Sequence, residues 1–158
     1  GLGDVYKRQI RKKPDIIYLI LWRAVLADFS FGYGRAGDEA YAGDWNGDGK
    51  DSLALRRENT FYTKYSLTGG NADCTFNYER NGDLVLSEDW DADGKDTLAV
   101  RRGSTYYIKN MLAIGIADSS FIYGHAEDRT FAGDWSGDGH DALAVRRGST
   151  FYVKKYHC

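Results

Sequence analysis

Three short loops, rich in Asp and Gly, carry the side chains of this chain that are best suited to chemistry. The first loop places Asp44, Asn46 and Asp48 at alternate positions and follows them with Gly49. Ca²⁺ takes roughly six to eight oxygen ligands, and alternate side chains of a tightly curled loop can point inward together. The spacing therefore predicts a Ca²⁺ site in each loop, with the glycine supplying the sharp turn.

Each loop offers four side chains and one backbone carbonyl as candidate ligands. The carbonyls belong to Lys50, Lys95 and His140. The predicted ligands are Asp44, Asn46, Asp48, Lys50 and Asp51 in the first loop, Asp89, Asp91, Asp93, Lys95 and Asp96 in the second, and Asp134, Ser136, Asp138, His140 and Asp141 in the third. Without a cation the carboxylates of one loop would repel one another. The alternative is a set of turns whose side chains cap backbone N–H groups.

The three loops differ in charge, and a related kind of site can be excluded. An EF-hand loop opens in the same way, but it needs flanking helices and a bidentate Glu at its twelfth position. That position is Leu55, Val100 or Val145 here, inside a predicted strand. The second loop has four carboxylates, whereas Asn46 and Ser136 leave three in the first and third. We therefore expect Ca²⁺ affinity to fall in the order second, first, third.

The loops belong to an ungapped repeat of 45 residues. Residues 43–51 return at 88–96 and 133–141, and the Arg-Arg pair of each downstream segment keeps the same spacing. The repeat spans residues 10–158, with units at about 27–71, 72–116 and 117–158 and a partial repeat at 10–26. Residues 1–9 match no repeat and are interpreted as a non-native or unstructured leader. The chain is expected to be a fragment of a longer array.

Each unit predicts four short strands. Apolar runs rich in aromatic and β-branched residues, bounded by Gly, Asn and Asp, are typical of strands. Residues 98–100 and 106–108 are apolar on both faces, as in a sheet that lies between two other sheets. The predicted fold class is all-β: a β-propeller-like array of four-stranded antiparallel blades in about three and a half repeats. A β-solenoid is the alternative.

Composition and motifs argue against several functions. A net charge of −2 does not favour general binding to nucleic acid or to anionic membranes. No apolar run approaches the roughly 20 residues that span a bilayer, so membrane insertion is not expected. Residues 11–22 have the outline of a signal peptide, but the repeat register accounts for them as well.

The carboxylates recur in turns, and no nucleophile elbow or zinc-protease motif occurs, so we expect no enzyme activity. Cys74 and Cys158 allow one disulfide, whose formation stays open.

In these motifs the chain resembles the FG-GAP/VCBS-type calcium-binding propeller repeats of extracellular proteins, over residues 10–158. It is especially similar to the GDWDGDGKDTLAVRR repeats that accompany secreted bacterial cell-wall hydrolases. The resemblance implies Ca²⁺ ligands at the first, third and fifth loop positions, such as Asp44, Asn46 and Asp48. The family pattern has its last carboxylate at the ninth position, whereas the last carboxylates here, Asp51, Asp96 and Asp141, stand one place earlier.

The resemblance also implies a setting and a role. It implies a secreted, cell-surface-associated and non-catalytic module for binding or adhesion, with a cell-wall glycan or a surface protein as partner and within a longer chain. The alternatives are a purely structural spacer, a part of a secreted hydrolase whose catalytic domain is elsewhere, and an enzyme domain that uses the metal. The recurring Trp residues are interpreted as packing rather than sugar platforms, and the Arg pairs as internal ion-pair partners rather than ligand contacts.

Overall fold

The computed structural model describes residues 27–78 and 80–154, and every regular element within those ranges is a β-strand. The leader at 1–9, the partial repeat at 10–26 and Cys158 lie outside the described residues. The strands are β1 (Glu39–Gly43), β2 (Ser52–Arg57), β3 (Thr60–Thr63), β4 (Cys74–Asn77), β5 (Leu84–Glu88), β6 (Thr97–Arg102), β7 (Thr105–Lys109), β8 (Ser119–Ile122), β9 (Arg129–Gly133), β10 (Ala142–Arg147) and β11 (Thr150–Val153).

The strands form three antiparallel sheets in which chain neighbours pair. Sheet A has the order β1-β2-β3-β4, sheet B the order β5-β6-β7-β8 and sheet C the order β9-β10-β11. All three lie in one compact unit, Gly32–Cys158. In the other unit, Gly1–Phe31, the rings of Phe29 and Phe31 stack with their centroids 6.1 Å apart. The all-β, antiparallel prediction is confirmed for the described residues, and the sheets repeat with the period of the sequence. Sheets A and B have the predicted four strands, whereas sheet C has three within the described residues.

Two local features show how the sequence produces each sheet. A tight turn joins the second and third strands of each sheet, and it requires a left-handed residue. Gly103 and Gly148 supply it with φ of 60° and 59°, whereas Glu58 adopts φ of 57° at some steric cost. The first strand of sheet A spans Glu39–Gly43. It ends there because the N–H and C=O of Asp44 bond to Asp96 rather than to β2.

Sheet B is covered on both faces, as its doubly apolar strands predict. Its β6 residues alternate, so that Leu98 and Val100 face sheet A while Ala99 faces sheet C. The core between sheets A and B comprises Trp45, Ala54, Phe61, Phe76, Tyr78, Val85, Leu98 and Val100. The core between sheets B and C comprises Trp90, Ala99, Tyr106, Ile108 and Leu143. Trp45 and Trp90 are therefore packing residues, as the sequence predicts, whereas Trp135 of sheet C is 42% exposed.

The second Arg of each pair forms an ion pair within its own repeat. Arg57 binds both carboxylate oxygens of Asp38, 19 positions earlier, at 2.9 and 2.6 Å. The same bidentate pair recurs between Arg102 and Asp83 and between Arg147 and Asp128. The hydrogen bonds from Arg147 hold the pKa of Asp128 well below its usual range. Internal ion pairing of these arginines is confirmed.

The first Arg of each pair has a different role, because it joins one sheet to the next. Arg56 of sheet A is buried and donates to the carbonyls of Asp83 and Arg80, at 2.7 and 2.8 Å. Arg101 of sheet B donates in the same way to the carbonyls of Asp128 and His125. In each case the two accepting carbonyls belong to the turn just before the first strand of the following sheet. These arginines therefore clamp consecutive sheets together.

Candidate metal centre

The acidic loops connect the first two strands of each sheet and lie side by side. They occupy residues 44–51 between β1 and β2, 89–96 between β5 and β6, and 134–141 between β9 and β10. A Cβ placed on Gly47 would lie 3.0 Å from Cγ of Lys95, and one on Gly139 would lie 3.8 Å from Cβ of Ala92. Consecutive loops are therefore in contact, and their charges form one acidic row along the ends of the sheets.

The first Asp of a loop organises its backbone. The Asp44 carboxylate accepts hydrogen bonds from the backbone N–H groups of Gly47, Asp48 and Gly49, at 2.8, 3.1 and 2.7 Å. Asp134 accepts the equivalent bonds in the third loop. Partial burial raises the pKa of Asp44, but these N–H groups outweigh it and leave the pKa below its ordinary value. The side-chain caps of the capped-turn alternative are thus present in the structure. They curl the loop without a bound ion.

The second loop concentrates the most negative charge. Carboxylate oxygens of Asp89, Asp91 and Asp93 lie within 4.8 Å of one another. Among the described residues, no other three Asp, Glu, His or Cys side chains lie so close together. Ala92 stands where the other loops have glycine, and it keeps the left-handed conformation with φ of 57°. Three hard oxygen donors at this spacing can bind a metal ion. Nζ of Lys95 lies 3.6 Å from Oδ2 of Asp93 at the edge of this group.

The third and fifth loop positions point into the same turn. Nδ2 of Asn46 donates to Oδ2 of Asp48 at 3.3 Å, and Oγ of Ser136 lies 3.4 Å from Oδ1 of Asp134. The fifth-position aspartates each accept the N–H two residues on, from Lys50, Lys95 and His140 at 3.0, 2.9 and 3.0 Å. The backbone N–H groups of Lys50, Lys95 and His140 thus bond within the loops, while their carbonyls stay predicted ligands.

The last Asp of a loop bonds to the preceding loop. Oδ2 of Asp96 accepts the N–H of Asp44 at 2.7 Å, and the Asp96 N–H donates to the Asp44 carbonyl at 2.9 Å. Asp141 and Asp89 repeat this reciprocal pair at 3.0 Å for both bonds. Burial raises the pKa values of Asp96 and Asp141. These carboxylates link consecutive repeats, a role that the sequence interpretation missed. Asp51, their counterpart in the first loop, is exposed.

Glu88 adds a further carboxyl group to the acidic row. It stands where the other repeats have Gly43 and Gly133, next to Asp89. Burial, followed by the nearby charges of Asp141 and Asp96, raises the pKa of Glu88 to about 7. The environment at this end of sheet B therefore disfavours additional negative charge, which is the electrostatic condition that a bound cation relieves.

No protein-family model, no curated protein and no solved structure matches the chain. The FG-GAP/VCBS resemblance therefore stays a prediction that rests on residues 43–51 and their two counterparts. Within residues 27–78 and 80–154, no helix is long and apolar enough to cross a membrane.

Proposed function

We propose that this chain is a non-catalytic, calcium-stabilised module whose sheets are blades of a β-propeller-like array. The observation that carries the proposal is the convergence of Asp89, Asp91 and Asp93 within 4.8 Å. A set made only of carboxylate oxygens suits a hard cation, and Ca²⁺ tolerates the irregular geometry of such a loop better than Mg²⁺ does. Asp44, Asn46 and Asp48, and Asp134, Ser136 and Asp138, form the weaker sites of the same kind.

The role of the ion in this proposal is structural. A divalent cation would neutralise the second loop and the carboxylates beside it, including Glu88 and Asp96. The reciprocal bonds of Asp96 with Asp44 and of Asp141 with Asp89 tie each loop to the next. A loop that is fixed by a bound ion therefore also restrains the loop to which it is hydrogen-bonded. Bound ions would in this way make the same end of all three sheets more rigid.

A binding or adhesion role outside the cell, at a cell wall or surface, follows from the resemblance of the repeats. The loop carboxylates of the proposed sites recur in turn positions and hold backbone N–H groups, which supports a scaffold rather than a reaction centre. A spacer without ligand is the second candidate. Glycan-array and cell-wall pull-down assays on the full chain in Ca²⁺ separate the two, since a spacer retains neither glycan nor wall material.

Isothermal titration with Ca²⁺ tests the proposed sites, with Asp93→Asn and Asp138→Asn as a matched pair at the fifth position. We expect Asp93→Asn to remove the tightest binding step, because it breaks the group of three carboxylates. Asp138→Asn should affect a weaker step in the third loop. Equal losses in the two variants would contradict the ranking of the loops. If the wild type binds no Ca²⁺, the proposed sites are wrong and the loops are capped turns.

A further inference from the structure

The chain contains five peptide bonds at which an Asn or Asp residue precedes a glycine. At such a bond the backbone nitrogen of the glycine can attack the side-chain carbonyl carbon of the residue before it, because glycine has no Cβ to hinder the approach. The reaction deamidates Asn and isomerises Asp. The five bonds are Asn46-Gly47, Asp48-Gly49, Asn81-Gly82, Asp93-Gly94 and Asp138-Gly139.

In four of these bonds the glycine N–H is held by the first Asp of an acidic loop. The hydrogen bonds run from Gly47 and Gly49 to Asp44 at 2.8 and 2.7 Å, from Gly94 to Asp89 at 2.8 Å and from Gly139 to Asp134 at 2.9 Å. A nitrogen bound in this way is restrained from turning toward the neighbouring side chain. The negative charge of the carboxylate also disfavours the amide anion that attacks. The capped loops are therefore protected against this reaction.

The fifth bond, Asn81-Gly82, lacks this protection. It forms the tip of the turn before β5, and both residues are exposed. Among the described residues, neither the Asn81 side chain nor the Gly82 N–H has a hydrogen-bond partner. Asn46 is exposed as well, but its side chain donates to Asp48 and accepts the Asp48 N–H, at 3.3 Å in both cases. Hydrogen bonding, rather than access of water, therefore distinguishes the two asparagines.

The turn at Asn81-Gly82 is also the one that the arginine clamp of sheet A binds. Arg56 donates to the carbonyls on either side of this pair, those of Arg80 and Asp83, at 2.8 and 2.7 Å. The Asp83 N–H donates to the Arg80 carbonyl at 3.3 Å, and the Arg80 N–H donates to Oδ2 of Asp83 at 3.1 Å. These bonds keep the turn closed, so that one guanidinium reaches both carbonyls. The contact between sheets A and B therefore depends on the backbone spacing of this turn.

We propose that Asn81 deamidates spontaneously and that the product weakens the contact between sheets A and B. The backbone nitrogen of Gly82 bonds to Cγ of Asn81, the Cγ–Nδ2 bond breaks, and ammonia leaves. Water then opens the resulting cyclic imide. Attack of water at Cγ gives aspartate, and attack at the backbone carbonyl carbon gives isoaspartate, whose main chain runs through Cγ. The reaction consumes water and releases ammonia, with no oxidation or reduction.

Isoaspartate lengthens the main chain between Arg80 and Asp83 by a methylene group. The two carbonyls then lose the spacing that the guanidinium of Arg56 bridges. The other two repeats have Ala36 and Ala126 at this position, so their turns cannot undergo the reaction. The contact between sheets A and B therefore weakens with age, whereas the corresponding contact between sheets B and C does not.

Incubation of the full chain in Ca²⁺ at mildly alkaline pH, followed by peptide mapping with mass spectrometry, tests the proposal. We expect Asn81 to convert at least tenfold faster than Asn46, with isoaspartate as the main product. The converted chain should have a Tm several degrees below that of fresh protein. Asn81→Ala, which copies the other repeats, should keep its own Tm throughout the incubation. Freshly prepared Asn81→Asp should match the wild type, because it adds the charge without lengthening the backbone.

A variant of the first loop tests whether the caps protect. Asp44→Ala leaves the N–H groups of Gly47 and Gly49 without their acceptor and should raise the conversion rate of Asn46 at least fivefold. An unconverted Asn81, or conversion of Asn46 at the same rate in the wild type, would overturn the proposal. So would an unchanged Tm of the converted chain, an equal fall in Tm when Asn81→Ala is incubated, or no effect of Asp44→Ala on Asn46.

Discussion

Sheets B and C are built from nearly the same residues but have different surroundings. Tyr106 of sheet B is fully buried under sheet C, while Phe151 at the equivalent place of sheet C is exposed. Arg101 is buried and clamps two carbonyls, while the contacts of Arg146 with other described residues lie within its own sheet. The comparison teaches that a residue type in a repeat has no fixed energetic value, since the neighbouring sheet decides what it contributes.

The largest effect is expected from removing the same ring in the two environments. Phe61→Ala leaves a cavity between sheets A and B and should lower the free energy of unfolding by about 3–5 kcal/mol. Phe151→Ala removes an exposed ring and should cost less than about 1 kcal/mol in the monomer. Urea denaturation at low protein concentration measures both. Similar costs for the two variants would mean that sheet C is covered as well as sheet A is.

A smaller difference is expected between the two equivalent arginines. Arg101→Ala leaves the buried Asp128 carbonyl without its arginine donor and removes one of the two donors to the His125 carbonyl, and it should cost about 3 kcal/mol. Arg146→Ala exposes no such groups in the monomer and should cost less than about 0.5 kcal/mol. Thermal unfolding of both variants against the wild type measures the difference. If Arg146→Ala proves as costly as Arg101→Ala, the clamp is not what holds consecutive sheets together.

Glu88, which the other repeats lack, makes the stability of the second repeat depend on pH. Its pKa of about 7 in the folded chain lies above the ordinary value of 4.5, so the folded state binds a proton more tightly than the unfolded state. The contribution of Glu88 is therefore most favourable below pH 4.5 and is lost as pH rises through 7. In a chelator, Glu88→Gln should be more stable than the wild type at pH 8, by roughly 1–2 kcal/mol after solvent screening, and equal to it at low pH. Glu127→Gln is the exposed control. A constant difference across this pH range would contradict the assignment.

The smallest effect concerns the aspartates that link the loops. Asp96→Ala removes the acceptor of the Asp44 N–H and should cost about 1 kcal/mol, since relief of repulsion in the acidic row offsets part of the lost bond. Asp51→Ala, at the equivalent exposed position, should change monomer stability by less than about 0.3 kcal/mol. Chemical denaturation at neutral pH without Ca²⁺ compares them. A larger cost for Asp51→Ala would place that residue in a contact of its own.

The strands were predictable from sequence because their signal is local. Apolar runs on both faces of residues 98–100 and 106–108 indicated a sandwiched sheet, and sheet B is covered on both sides. The three antiparallel sheets likewise follow from the strand and turn pattern of each 45-residue period. The propeller arrangement of these sheets stays a prediction, since it depends on how many sheets follow one another and how they close.

The site was only partly predictable because Asp has three different structural roles in and around it. Asp89, Asp91 and Asp93 converge as their alternate spacing indicates. Asp96 has the same charge, but it bonds across to Asp44, which no pattern within a single loop reveals. Asp38 pairs with Arg57 from 19 positions away. The recurrence of Asp38, Asp83 and Asp128 at the repeat spacing was the available signal for these ion pairs.

Thermal unfolding of the full chain in excess Ca²⁺ and in a chelator, with Mg²⁺ as the control cation, is the most direct test of the central claim. An ion that binds only the folded state stabilises it by about 2.7 kcal/mol at a hundredfold excess over its Kd. The account predicts a Tm several degrees higher in Ca²⁺ than in chelator or Mg²⁺, and a smaller increase in Asp93→Asn. Identical melting curves in Ca²⁺ and chelator would contradict it.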